Sequence, residues 1–166
     1  MIKPTIVFRS RRIHLCINYN SKTPCMNTNE DQLNCEEQFS LKQIINTLLL
    51  SYQPVAVRQN SFFVNEIPED LMIETDKNVL ITLLGSLFYV VARCSKDTCI
   101  NISAKGYSEV LLLYIKDSNS QNNYGILSSL QHLQLLADKL GGFFHLSGLD
   151  TRATSIAFSL PIKLAA

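Results

Sequence analysis

Few residues of this chain are of a type and spacing that make chemistry. His14, His132 and His145 have no Cys, Asp or second His at ligand spacing, which argues against a metal centre. No Ser-His-Asp or Cys-His arrangement can be assembled from the sequence. The five cysteines (Cys16, Cys25, Cys35, Cys94, Cys99) are odd in number, lack a CxxC pair, and read as reduced thiols. Two features remain. Arg9-Ser10-Arg11-Arg12 is a cationic tetrad that can meet phosphate, although without aromatic stacking partners a solvated turn is its more ordinary use. Asp117 ends an apolar run and is followed by Ser118 and Asn119. A carboxylate there can accept a hydrogen bond from a ligand, and the same three residues are also common turn formers.

The rest of the chain must position these groups. With 166 residues and 46% hydrophobic content it makes one domain with a real core. A net charge of +1 gives no global field to attract nucleic acid or an anionic membrane. The N-terminus has no signal-peptide core and no apolar run reaches about 18 residues, so a cytoplasmic protein without a membrane span is expected. The sequon Asn101-Ile102-Ser103 is then chance.

Thr5–Phe8 and Ile13–Tyr19 are β-rich runs around the basic tetrad, so residues 1–20 predict an added hairpin. Residues 21–38 turn polar and then acidic and predict a linker. Ser40 and Gln43 make a capping box with Phe39 as its staple, and Leu41, Ile44, Ile45, Leu48, Leu49 and Tyr52 share one face of the helix that follows, ended or kinked at Pro54. Ser61 to Ile67 and Leu71 to Ile73 read as strands. Asp76 opens a helix to Ser95 that is apolar over most of its girth and therefore buried, with Leu80, Leu83, Leu84, Leu87, Phe88 and Val91 in one stripe. A strand through Ile100 and Ile102, a turn at Lys105-Gly106 and a strand from Val110 to Asp117 come next. Ser118 to Tyr124 is a loop; Leu127 to Leu140 is an amphipathic helix capped by Gly141; Phe143 to Leu146 and Ile156 to Leu160 are the last strands. The sum is α+β, a two-layer sandwich with helices packed on one face of a mixed β-sheet.

This order of pieces resembles the ATP-binding catalytic domain of sensor histidine kinases, the Bergerat-fold class. The resemblance spans residues 39–162. It rests on Phe39-Ser40-Leu41, Ile67-Pro68-Glu69-Asp70-Leu71, Asp76, Tyr114-Ile115-Lys116-Asp117, Leu140-Gly141-Gly142 and Phe158-Ser159-Leu160-Pro161. It implies ATP and Mg²⁺ as cofactors, two asparagines four residues apart on the central helix, an adenine-reading Asp followed by glycines, a long lid and a Gly-Leu-Gly-Leu phosphate run. This chain departs from that pattern repeatedly. The two asparagines match Ser86 and Val90, and an isopropyl group offers Mg²⁺ no oxygen. Asp117 matches the adenine contact, but Asn119 and Gln121 replace the glycines. The phosphate run matches Leu127-Ser128-Ser129-Leu130, where the serines are expected near a helix start; the family's Gly-Thr becomes Ala153-Thr154. No phosphoacceptor His on a dimerising helix precedes Phe39.

The expectation is therefore a degenerate histidine-kinase-like domain with no cofactor, no catalytic residue and no metal, in which Asp117, Ser86, Val90 and Asn119 form a vestigial pocket. It would act as a protein-binding module in two-component signalling, with a protein partner at a groove rimmed by Val90, Asn119 and Tyr124. Two alternatives stay open: a nucleotide-binding domain with an altered metal site resting on Asp117, and a nucleic-acid-binding module led by Arg9, Arg11 and Arg12.

Overall fold

The computed structural model describes residues 38–120, 122–148 and 153–164. The expected hairpin over residues 1–20, the tetrad with it, His14 and the linker up to residue 37 lie outside the described residues.

Gln38, expected to end the linker, instead begins a strand, β1 (Gln38–Ser40). Ser40 then caps α1 (Leu41–Val57), its hydroxyl accepting the Gln43 N–H at 3.4 Å; Gln43 makes no return bond to a described residue, so only half of the capping box forms. Leu41, Ile44, Ile45 and Leu49 are buried along the expected face. Pro54 does not end the helix, which runs on to Val57. Both Pro54 and Leu50, whose carbonyl loses its donor, lie on the exposed side, where that carbonyl is open to solvent.

β2 (Phe62–Asn65) and β3 (Met72–Glu74) lead to the central helix, α2 (Lys77–Cys94). The Asp76 carboxylate accepts the N–H groups of Asn78 and Val79, both at 3.0 Å. All six residues of the predicted stripe are buried. α2 is also apolar and long enough, at 18 residues, to cross a membrane by length and composition, contrary to the expectation from apolar runs. Its buried stripe explains that apolarity as core. The girth is not wholly covered, because Tyr89 is exposed.

β4 (Cys99–Tyr107) and β5 (Val110–Asp117) form a hairpin whose turn is Ser108-Glu109, not Lys105-Gly106. The inward alternation of Ile100, Ile102 and Ala104 carries β4 past Gly106, which pairs with Leu111, and Ser108 takes the left-handed turn at φ +43°. α3 (Asn123–Lys139) ends in a Schellman motif: the N–H groups of Gly141 (φ +69°) and Gly142 reach the carbonyls of Asp138 and Ala137 at 3.0 and 2.8 Å. A Cβ on Gly142 would come within 2.6 Å of the Phe158 ring, so this glycine allows the close approach of helix end and sheet.

β6 (Phe143–Ser147) and β7 (Thr154–Pro161) complete a five-stranded mixed sheet in the order β2-β4-β5-β7-β6, parallel only between β2 and β4. β8 (Lys163–Leu164) joins a second, three-stranded sheet, β1-β3-β8, that the sequence did not suggest. The five-stranded sheet buries one face: Ile100, Ile102, Leu111, Leu113, Ile115, Ile156, Phe158 and Leu160 pack with the α2 stripe in one core. α2 lies between α1 and α3 over that face.

Candidate functional site

On β5 the residues Leu111, Leu113 and Ile115 alternate onto the buried face, and Asp117 is next in that series. The period of the strand thus carries a carboxylate to the helix side of the sheet. It sits between Ile100 on β4 and Thr154 on β7 and is only 3% exposed.

Both carboxylate oxygens are occupied from within the chain. The Ser95 hydroxyl, at the C-cap of α2, donates to Oδ2 at 2.6 Å; it also lies 2.8 Å from the Val91 carbonyl, so its single proton stands between two acceptors. The Asn119 backbone N–H donates to Oδ1 at 2.9 Å, closing an Asx-turn. Asn119 then reaches outward. Its side-chain Nδ2 donates to the Lys96 carbonyl at 2.7 Å, while the Lys96 N–H donates to the Asn119 carbonyl at 3.3 Å. With the antiparallel bridge of Ser95 to Ser120, these contacts stitch the segment after β5 onto the segment after α2.

A second polar group lies alongside. Thr154, paired with Asp117 across β5 and β7, donates its hydroxyl to Asn123 Oδ1 at 2.6 Å, and Asn123 Nδ2 donates to the Gly148 carbonyl at 3.1 Å. Ser120 Oγ is buried without a partner among the described residues. Among the described residues seven polar side chains are buried, and five of them (Ser95, Asp117, Ser120, Asn123, Thr154) belong to this one end of the sheet. Next to it burial pushes the Cys94 thiol up; the Arg93 charge pulls it down and the Asp117 carboxylate adds to the rise.

The other predicted residues are placed differently. Ser86 and Val90 share one flank of α2 and both are half-buried. Ser86 makes no side-chain hydrogen bond to a described residue, and Val90 packs against the core. The loop is shorter than expected. Asn122 caps α3 by accepting the Gly125 N–H at 2.8 Å, so Asn123 and Tyr124 are already helical, and Tyr124 is 72% exposed in the first turn. Ser128 and Ser129 therefore sit in the second turn rather than at the helix start. Ser129 bonds back to the Gly125 carbonyl at 2.8 Å, and amides at this depth are engaged within the helix. Gln121 lies outside the described residues. His132 on α3 and His145 on β6 are both exposed. Among the described residues no group of three His, Cys, Asp or Glu can hold a metal ion.

Sequence reasoning missed Ser95, Lys96, Ser120 and Asn123. Thr154 had a readable signal, since it continues the inward series Ile156, Phe158, Leu160 by one step. Ser95 had none, because only the meeting of the α2 and β5 ends brings it to Asp117.

No protein-family profile and no curated protein matches the sequence. Solved structures do. The histidine kinase AdeS of Acinetobacter baumannii superimposes with a TM-score of 0.64 at 15% identity, over 76% of this chain and 66% of that one, just under two thirds of its length. The catalytic domain of histidine kinase ThkA gives a TM-score of 0.63 at 17% identity over 78% of this chain and 98% of that domain. Full-length ShkA in complex with AMPPNP gives 0.62 at 12% identity over 78% of this chain but 32% of that one. The chain has the fold of a histidine kinase catalytic ATPase domain. The likeness takes in almost the whole of ThkA's catalytic domain but only about a third of full-length ShkA.

Proposed function

We propose that this domain keeps the histidine-kinase fold without its nucleotide chemistry and works as a protein-binding module in signalling. The observation that carries the reading is the internal occupation of Asp117: Ser95 takes one oxygen, the Asn119 amide the other, and Asn119 closes onto Lys96. The side chains present do not fit Mg²⁺-ATP. Val90 offers no oxygen ligand, and phosphoryl transfer depends on the metal's charge and on positioning. A protein partner is favoured because Tyr89 on α2 and Tyr124 on α3 stand exposed, and Tyr is enriched at interfaces.

Calorimetry with ATP, with and without Mg²⁺, tests the reading. The expected outcome is no binding tighter than about millimolar, equivalent to roughly −4 kcal/mol. Micromolar, Mg²⁺-dependent binding would overturn it. In affinity capture, Val90→Lys is expected to abolish the protein complex that the wild type forms.

A further inference from the structure

The two layers end together on one side of the molecule, with β2 the outermost strand of the five and α1 beside it. β2 is parallel to β4, and in a parallel pair the N–H and C=O of alternate residues point to the same neighbour. The Phe62 N–H donates to the Thr98 carbonyl at 3.2 Å and the Glu66 N–H to the Ile102 carbonyl at 2.8 Å, so Phe62, Val64 and Glu66 face β4. Phe63 and Asn65 consequently turn their N–H and C=O groups to the open edge, where no described residue meets them. Along that edge runs a groove of about 400 Å³, lined by Asn46, Leu49, Leu50, Gln53, Phe63 and Asn65. None of these is charged. Leu50 is 77% exposed beside it, and β2 contains neither the lysine nor the proline that usually protects an edge.

We infer that a second copy of this chain pairs with this edge, β2 running antiparallel to β2 about a twofold axis at Val64. Antiparallel pairing sets Phe63 opposite the partner's Asn65 and Asn65 opposite the partner's Phe63, and each of these pairs exchanges two backbone hydrogen bonds. The unpaired groups are thus complementary to themselves, as an isologous interface requires. A twofold also sets like charge against like, and the groove holds no charge to be opposed. Two five-stranded sheets become one of ten, and the Leu50 regions of the two copies meet across the axis.

Sedimentation equilibrium of the full chain tests this. The wild type is expected to dimerise with rising concentration, and Leu50→Glu or Leu50→Lys to weaken the dimer about ten-fold or more by placing like charges across the axis. An equimolar mixture of the two variants should recover the dimer, an effect that a folding defect cannot produce. Hydrogen exchange of the wild type supplies the second readout: the Phe63 and Asn65 amides should gain protection as concentration rises. A monomer at every concentration, Leu50 variants that dimerise as the wild type does, or a mixture that stays monomeric would each overturn the inference. The monomer result would leave the edge to a foreign strand instead.

Discussion

One face of β5 holds two kinds of buried residue, and the regions they enter behave differently. Leu111, Leu113 and Ile115 enter an apolar interior under α2, where each side chain is held by area removed from water and many neighbours share the work. Asp117, one step further on, enters a polar region where it, Ser95, Asn123 and Thr154 are each held by one or two named partners, and the Ser120 hydroxyl by no described residue. The apolar region tolerates some repacking, whereas the polar region is all or nothing, because a buried donor that loses its acceptor keeps its full desolvation cost. The contrast teaches that one strand can serve two kinds of interior. The core beneath α2 is held by apolar contact, and the Asp117 end by Ser95, Asn119, Asn123 and Thr154 from within the chain.

Three substitutions sharpen or break that contrast. The largest effect is expected for Leu84→Asp, since Leu84 is fully buried and an unpartnered carboxylate there costs several kcal/mol, comparable with a whole domain's stability. Circular dichroism should show an unfolded chain, and a folded variant would mean that the α2 stripe is not the core. Asp117→Ala should cost about 1–3 kcal/mol in urea denaturation, because it strands the Asn119 amide, while the Ser95 hydroxyl keeps the Val91 carbonyl as its acceptor. A loss below about 0.5 kcal/mol would place Asp117 outside the structural network and reopen it as a ligand group. Ser120→Ala runs the other way. Removing a buried hydroxyl that has no partner among the described residues should stabilise the protein by up to about 1 kcal/mol, and a loss of stability would reveal a bound water that the hydroxyl serves.

The apolar region was legible in the sequence and the polar one largely was not, for a physical reason. A stripe such as Leu80, Leu83, Leu84, Leu87, Phe88 and Val91 repeats at the helical period, so each residue confirms the others. The same redundancy found the inward residues of β4 and β7, whereas β5 read only as a near-continuous apolar run. Short elements carry no such repeat: β1 and β8 have three and two residues, and their sheet went unread. Local exceptions also escaped, among them Pro54 inside α1 and the turn at Ser108 in place of Lys105-Gly106. In the polar region Asp117 was singled out by type and position, but its partners come from segments distant in sequence. Nothing in Ser95 or Asn123 alone announces that it will meet another residue. Asn119 was read as an obstruction left by a lost glycine, and in the structure it is the residue that ties two segments together.

The small sheet has a consequence for where the described residues begin and end. β1 and β8 flank the same strand, β3, so the residues at which the described chain enters and leaves stand two strand spacings apart, about 10 Å. A domain whose entry and exit are neighbours can be spliced into a host loop with little disturbance to the host. Tension applied between the two flanks would act first on the few hydrogen bonds of the three-stranded sheet, and once β8 let go it would pass to β7, from which only Ile162 separates it.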